Sequence, residues 1–533
     1  AVSALSAQQA IIAATSTNIA NVNTEGYTRR VLELKTRISG GSSTSLNIGS
    51  GVDIGAVKRV SDEFINKVLR GAISDKFNTS LQSDFLSRLE DVFNLTGDLT
   101  TVGTAITDFF SAIDDLSVNP ASIELRANMI ERGQDLVNAI KTAYNTIASL
   151  QTEADNRLVD EIASVNSLTS QIAQLNGLIA TRESNGQVAA DERDRRDLLL
   201  QQLSEKISFD MVETSNGSVT ISLKNGFTLV SGTTARELEL TASPSFASGS
   251  LPPSLEGGVL RYIVFDYGSS GSSAHVDLTQ TLKDGSGTIA GLLQVRGYND
   301  PSNTSAFDAD GPLVEIASRL EAITRELLTT FNQTYLGPDR DSGTAGHQPS
   351  SGDLDGNSPS VYGFFTFDYS GTKDADSNGL PDDLDNLNID NFSSILDLTS
   401  TDPRDIAAAL DLSGGPPNAA SFAEGDGRNL TALSALQDTS LSFSAGSYSF
   451  TGTFNEVYNE TVSKVGNLKS KADLDAKLAE DHLTTTQNRR DAFSGVSLDE
   501  EFSRLIQFQR VFEANARVIR TAADLLQQIV GIL

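Results

Sequence analysis

The residue types that do chemistry in proteins are scattered through this chain, apart from one acidic loop. Asp374, Asp376, Asn378, Leu380, Asp382 and Asp385 stand at positions 1, 3, 5, 7, 9 and 12 of a run in which Gly379 takes the sixth place. Oxygen donors at alternate positions wrap one hard cation, the seventh residue adds its carbonyl, and the glycine makes the sharp turn of a Ca²⁺ loop. The twelfth position is Asp, not the usual bidentate Glu, and no helix clearly precedes the run. The expectation is a single unpaired Ca²⁺ site with an affinity of roughly 10⁻⁴–10⁻³ M, as in extracellular modules. A solvated acidic loop is the competing reading in a chain whose formal net charge is −30.

Enzyme chemistry has no selected site elsewhere: the abundant carboxylates leave a glycosidase pair open, but nothing in the sequence singles one out. A catalytic centre needs a nucleophile, a base and a fixed geometry. The three histidines, His275, His347 and His482, fall in three different segments. No Gly-x-Ser-x-Gly, His-Glu-x-x-His or P-loop is present. Gly285-Ser286-Gly287 opens a helical stretch, but its spacing departs from the dinucleotide fingerprint and it reads as a loop. There is no cysteine, hence no disulfide framework and no thiolate. The chain reads as a non-enzyme that requires no cofactor. A pI near 4.4 argues against nucleic acid and anionic membrane as partners, since both call for a basic face. No apolar run approaches the roughly 18 residues of a membrane span. No Sec-type signal opens the chain, and Ala1 stands inside an already periodic pattern, so a few further residues are expected before it.

The elements that organise these residues are the two ends. Leu498, Leu505, Phe512, Ile519, Leu526 and Leu533 recur every seven residues, with Phe508, Ala522 and Ile529 as a second row interrupted by Glu501 and Asn515. A heptad of apolar residues is a helix seam that seeks another helix. Leu5, Ile12 and Ile19 carry the same period at the start. Pairing of the two seams would leave everything between them hanging from one helix pair. Isolated helices of roughly 12–15 residues are marginal in water. Both termini are therefore expected to be largely disordered in the free monomer and to order under neighbouring subunits.

The first helix ends in Asn18-Ile19-Ala20-Asn21, then Thr24, Gly26, Tyr27 and Arg29. Asparagine side chains bond nearby backbone and glycine tolerates positive φ, so a plain helix terminus explains the composition locally. The full motif resembles the N-terminal signature of the bacterial flagellar axial proteins, the rod, hook and hook-associated proteins. The tail, Gly495-Val496-Ser497-Leu498-Asp499-Glu500-Glu501 and onward through Ala514-Asn515-Ala516-Arg517, is similar to the matching C-terminal signature.

Between the ends, apolar residues spaced by three and four mark helices from Val57 to about Ile207: Val60, Phe64 and Val68; Leu81, Phe85 and Leu89; Val102, Ile106 and Phe110; then Leu158 to Ile179. Residues 122–182 would span about 90 Å if unbroken, and Gly133 is a candidate break. The run Asp191-Glu192-Arg193-Asp194-Arg195-Arg196-Asp197 reads as a solvated helix face. Val219, Ile221 and Leu223 alternate with polar residues ahead of Asn225-Gly226, the strongest short hairpin signal. The fold class expected is α+β multidomain, with terminal coiled-coil-like helices, a long helical bundle domain and inserted β-rich domains. Its parts are a terminal helical domain (1–30 with 498–533), an elongated helical domain (31–205 with 285–336 and 429–497), a β insertion (206–284) and a second β- and loop-rich insertion (337–428).

Further blocks sit in the matching order: Ala190-Asp191-x-Arg193-Asp194, Gly291-Leu292-Leu293-x-x-Arg296, Phe331-Asn332, Gly363-Phe364-Phe365 and Gly425-Asp426-Gly427-Arg428-Asn429. Together they resemble the hook-associated protein 1 family; where that family often has His after Phe-Asn, this chain has Tyr335. The resemblance implies an extracellular structural subunit of the flagellum, exported by the type III apparatus and placed between hook and filament. It also implies a ring of identical subunits, contacts to hook protein and to the second junction protein, and an export chaperone on the C-terminal helix. A hook-type axial protein and a secreted coiled-coil adhesin or surface-layer protein remain the alternatives.

Overall fold

The computed structural model describes residues 2–36, 51–93, 101–185, 188–246, 254–268, 274–298, 309–337, 351–355, 363–367, 392–410, 423 and 425–531. The chain opens with helix α1 (Val2–Ala20) and a two-stranded antiparallel ribbon, β1 (Arg30–Thr36) with β2 (Val52–Arg59). Helices α2 (Glu63–Phe93), α3 (Val102–Val118), α4 (Ile123–Ser184) and α5 (Ala190–Lys206) follow. A four-stranded antiparallel sheet, β3 (Asp210–Glu213), β4 (Val219–Ser222), β5 (Thr228–Ser231) and β6 (Thr234–Ala235), leads to a three-stranded one, β7 (Glu239–Thr241), β8 (Tyr262–Asp266) and β9 (His275–Asp277). Helix returns with α6 (Thr279–Lys283), α7 (Thr288–Arg296) and α8 (Pro312–Glu326), the last running through a π turn (Leu327–Phe331) into α9 (Asn332–Leu336). Two small ribbons, the short helices α10 (Phe392–Ile395) and α11 (Arg428–Ser434), and a hairpin (Leu441–Ala445 with Tyr448–Gly452) precede the long helices α12 (Phe454–Ser494) and α13 (Leu498–Val530). The α+β multidomain architecture expected from the sequence is the one observed.

Local signals explain the element ends. Thr101 and Thr104 form a reciprocal capping box on α3, and Thr453 with Glu456 does the same for α12. Asp62 accepts from the amides of Phe64 and Ile65 and starts α2 there, so Val60 lies outside the helix and Phe64, 72% exposed, faces solvent. The core face of α2 is carried instead by Leu69, Ile73, Leu81, Phe85 and Leu89. Asn225-Gly226 turns β4 into β5, with Gly226 at φ +85°.

Helix α4 is unbroken over 62 residues, about 93 Å at 1.5 Å per residue. Gly133 is no break. A Cβ there would stand 2.9 Å from the Phe364 ring and 3.3 Å from that of Phe109, so the glycine makes room for an aromatic cluster. In that cluster Phe109, Phe331, Phe364 and Phe365 lie with ring centroids 5.0–6.1 Å apart, joining α3, α4, the π turn and the second insertion. Most buried apolar residues of both insertions and of the helices belong to one continuous core, while Leu69, Ala72 and Ile73 of α2 with Leu483 of α12 form a second, small cluster. Gly287, in the segment read as a loop, donates its amide to Ser74 and starts α7.

Side-chain amides on α4 clamp the first insertion to it. Gln151 donates to the Arg296 carbonyl (3.0 Å) and accepts from the Leu255 amide (2.9 Å). Asn166 makes the same two-way bond to Leu238, at 2.8 and 2.9 Å. Asn176 donates to the carbonyls of Val219 (2.9 Å) and Gly232 (2.8 Å) and accepts from the Val219 amide and the Arg196 guanidinium. An amide both donates and accepts, so it satisfies a strand edge that would otherwise be buried unpaired. Asn176→Ala leaves these groups unsatisfied in the core and is expected to lower stability by about 3 kcal/mol. The measurement is a urea midpoint that falls while the slope of the transition is unchanged.

A candidate assembly site where the chain ends meet

Helix α1 lies antiparallel to the first half of α13, with the β1–β2 ribbon against its other side. Its sequence ends it at Ala20. The Asn21 amide reaches back to the Thr17 carbonyl (2.9 Å), the Thr24 hydroxyl donates to Asn21 Oδ1 (3.1 Å), and the Tyr27 amide closes on the Thr24 carbonyl (3.2 Å). Gly26 sits at φ +77°, and a Cβ there would meet Leu198 of α5 at 3.3 Å. Conformation and close approach both call for glycine at this point.

Asn18 is the hub of the motif and is 1% exposed. Its Nδ2 donates to the Arg30 carbonyl and to Glu501 Oε2, both at 3.0 Å. Its Oδ1 accepts from the Tyr27 hydroxyl (2.8 Å) and the Arg30 amide (3.0 Å). All four hydrogen-bonding positions of the amide are used. Glu501 is equally buried and pairs with Arg504 at 3.4 Å. The residue that interrupts the heptad of the tail is therefore what pins the tail to the head. Burial pushes the Tyr27 phenol up, against the pull of Arg30 stacked on its ring at 5.0 Å, so the hydroxyl stays a neutral donor. Arg29 holds the ends together through its backbone: its amide donates to the Ser494 carbonyl (3.0 Å) and its carbonyl accepts from Val60 (2.8 Å).

The charge run read as a solvated face is corrected by the structure. Asp194 and Arg196 of α5 are buried. Asp194 bridges Arg30 (3.2 Å) and Arg59 (2.7 Å), while Asp191 pairs with Arg30 and Asp197 with Arg59. Arg196 turns inward to the Gly217 carbonyl (2.6 Å). The signal was present in the spacing: Asp191, Asp194 and Asp197 stand at i, i+3 and i+6, one stripe on one helix face. Arg30 and Arg59, the cations that meet it, carry no pattern of their own.

The seam forms in its first half. Leu505, Phe508, Phe512 and Ile519 are half-buried along α1, with Asn515 in the same row, and Leu5, Ile12 and Ile19 are half-buried opposite. The most enclosed residues of α1 are Ala7, Thr15 and Asn18, which are small or polar, so the pairing is close and narrow rather than a broad apolar seam. Leu498, Ala522, Leu526 and Ile529 are exposed and do not join it; Leu526 is 62% exposed. Ala20 of the motif also faces solvent. Leu533 and the Ca²⁺ loop, Asp374–Asp385, lie outside the described residues. Both ends are helical where they meet, and their anchor is polar: it comes from Asn18, Glu501 and the Arg29 backbone. A second apolar row, Val511, Val518 and Leu525, repeats every seven residues on the solvent side of α13. Reasoning from the α1 seam alone missed it.

Three family models match: "Flagella basal body rod protein" over residues 1–28, "Flagellar hook-associated protein FlgK helical domain" over 86–348, and "Flagellar basal body rod FlgEFG protein C-terminal" over 490–532. Flagellar hook-associated protein 1 of Escherichia coli (strain K12) is 25% identical over 577 residues, covering 100% of this chain and 98% of that protein. The protein of the same description from Bacillus subtilis (strain 168) is 26% identical and covers 99% of this chain and 96% of its own length. The solved structure of the flagellar hook junction protein FlgK from Burkholderia pseudomallei shares the fold, with a TM-score of 0.58 at 16% identity over 80% of this chain and all of that one.

The hub makes a direct prediction. Where the two ends are packed as in this structure, trypsin is expected to spare Arg29 and Arg30, which are held by backbone and ion pairs, and to cut first in the exposed second half of α13, at Arg517 or Arg520; early loss of both ends from the free chain would show that the packing awaits neighbouring subunits. Asn18→Ala leaves Glu501 buried without its amide partner and should open the Arg29–Arg30 sites, read as an early loss of the first 30 residues by mass spectrometry.

Proposed function

Since this chain belongs to the flagellar hook-associated protein 1 family, we propose that it is a structural subunit of the bacterial flagellum that forms the junction between hook and filament. The observation that carries the reading is correspondence from end to end: both terminal signatures and the central helical domain match, in order. A hook-type subunit or an adhesin, the alternatives left by the sequence, does not account for that order. The role proposed is mechanical and non-catalytic, at an extracellular position on the flagellum. Its partners are identical copies in a ring, hook protein on one side and the second junction protein on the other, with a chaperone covering the C-terminal helix before export.

The physical support is the two-sided character of α13. One face is taken by α1 and pinned by Asn18. The other carries Val511, Val518 and Leu525 in the open, with Leu526, Ile529 and Val530 beyond them. Apolar residues at heptad spacing on a solvent face are a surface for further helices. Val518→Asp with Leu525→Asp should leave the free chain folded, because neither side chain touches its core, and should prevent assembly. The test is complementation of a deletion strain. The expected result is flagellin shed into the medium and loss of swimming; normal filaments would remove α13's outer face from the assembly surface.

Ca²⁺ binding at Asp374–Asp385 is proposed on the spacing of its oxygen donors alone. Titration calorimetry with millimolar Ca²⁺ is expected to show a weak one-site signal that disappears in Asp374→Ala with Asp376→Ala. An unmutated chain that gives no heat ends the proposal.

A further inference from the structure

Helix α2 stands between two flanks of the body. Leu69, Lys76, Ser83 and Glu90, seven residues apart, turn toward α12: Leu69 joins Leu483, Lys76 pairs with Glu480, Ser83 donates to Asp473 (2.7 Å) and Glu90 pairs with Lys469. Ser74, Leu81 and Arg88 turn the other way. Ser74 donates to the Ser204 carbonyl of α5, Leu81 packs at Gly291 of α7, and Arg88 bonds Glu153 of α4. At 3.6 residues per turn, the second row lies roughly half a turn round the helix from the first. So α12 and α4 flank α2 from opposite sides. They also meet it at one height: Ser83 holds Asp473, next to Leu474, while the Phe85 ring carries Arg157 of α4 at 5.6 Å.

Each flank turns an uncovered face outward at that height. On α12, Leu474 and Leu478 stand one turn apart and are 57% and 58% exposed, with Lys471, Asp475 and Lys477 around them. On α4, the outward positions from Asn138 to Thr181, at spacings of three and four, carry Asn, Gln, Ser, Thr, Ala, Val and Leu and no charge. That is a helix face about 65 Å long without a charged residue, in a chain that is 21% charged. Its middle is Asn156, Val159 and Ala163, all exposed, and the acids Asp160 and Glu256 stand at the rim. A shallow groove of about 410 Å³ runs there between Thr152, Asn156, Asp160 and Glu256.

Copies of a chain with a formal net charge of −30 repel wherever acidic faces oppose, so they approach closely only where charge is absent or of opposite sign. A ring of one subunit further requires two different faces that meet at the same height, a heterologous contact that repeats until it closes. The leucine pair of α12 and the uncharged face of α4 satisfy both conditions. Resting on the reading that identical copies form a ring, we propose that α12 of each copy seats Leu474 and Leu478 against Asn156, Val159 and Ala163 on α4 of the next. Lys471 and Lys477 then stand beside Asp160 and Glu256 of that neighbour. Neither face belongs to α1 or α13, so the contact forms between the bodies of the subunits.

Cross-linking in assembled flagella tests the contact, since the chain has no cysteine of its own. Leu474→Cys with Val159→Cys in one chain, expressed in a deletion strain, should let a short bismaleimide join neighbours into a ladder of dimers, trimers and longer products on a denaturing gel. Within one chain α2 separates the two sites. Ala163→Cys in place of Val159→Cys, one turn along α4, gives a second pair with the same expectation. Either cysteine alone should give no ladder, because the two faces differ. Leu474→Cys with Val118→Cys, at the exposed end of α3, should give none either. All these sites are exposed, and swimming of the strains reports that the subunits are in place. No ladder from either pair, in flagella that contain the chain, overturns this contact and leaves the ring standing. A ladder from a single cysteine or from the Val118 pair overturns it too. Absence of the chain from purified flagella overturns the ring itself, and the contact with it.

Discussion

Everything at the ends of this molecule depends on one buried hydrogen bond between residues 483 positions apart, from the Asn18 amide to the Glu501 carboxylate. A buried carboxylate is costly unless it is paired and hydrogen-bonded, and here Asn18 and Arg504 provide both. The apolar seam alone sets the register loosely, since Leu505, Phe512 and Ile519 recur every seven residues and are only half-buried. The Asn18–Glu501 bond does not tolerate a slide, because that strands the amide and the carboxylate away from water. One polar pair therefore sets the register of two helices whose apolar rows leave it open, a use of buried polarity known from coiled coils. The register then decides which face of α13 is covered and which remains available to other chains.

The same device recurs in the body. The half-buried Asn166 and the buried Asn176, Asn332 and Asn429 each put a side-chain amide against main chain from a distant segment. Asn332 donates to the Phe365 carbonyl at 2.7 Å and accepts from the amides of Phe364 and Phe365, which holds the second insertion on the π turn. Gly363 is required there, since a Cβ would overlap Asn332 at 2.4 Å. Asn429 bonds the carbonyls of Tyr335 (2.8 Å) and Ala407 (2.7 Å), so the Gly-Asp-Gly-Arg-Asn block is a splice between the return helix and the insertion. Burial drives the Tyr335 phenol well above its ordinary range, and its neutral hydroxyl bridges Ala407 and Asp405. Motif residues of a kind often read as functional are here the fixings of the architecture.

Long helices and thin insertions carry the load in different ways. The bundle of α2, α3, α4, α8 and α12 is packed through apolar contacts and continuous with the insertions. The join to the terminal part is polar and narrow. Apolar burial holds the body together over a wide area, whereas the join relies on a few largely covered charges that each keep a partner.

The chain by itself determined its elements and its kinship. Heptad spacing marked α1 and α13, the period of three and four marked α2 to α4, and Asn225-Gly226 marked the β4–β5 hairpin, because these depend only on neighbours in sequence. The order of short motifs identified the family. Long-range partners were decided by the tertiary structure alone. Gly133 reads as a helix breaker until Phe109 and Phe364 arrive beside it. Glu501 reads as a flaw in a seam until Asn18 meets it. The Asp191–Asp197 stripe reads as a wet face until Arg30 and Arg59 cover it. In each case the local sequence states the cost, a missing side chain or an unpaired charge, and only the fold brings in the group that offsets it.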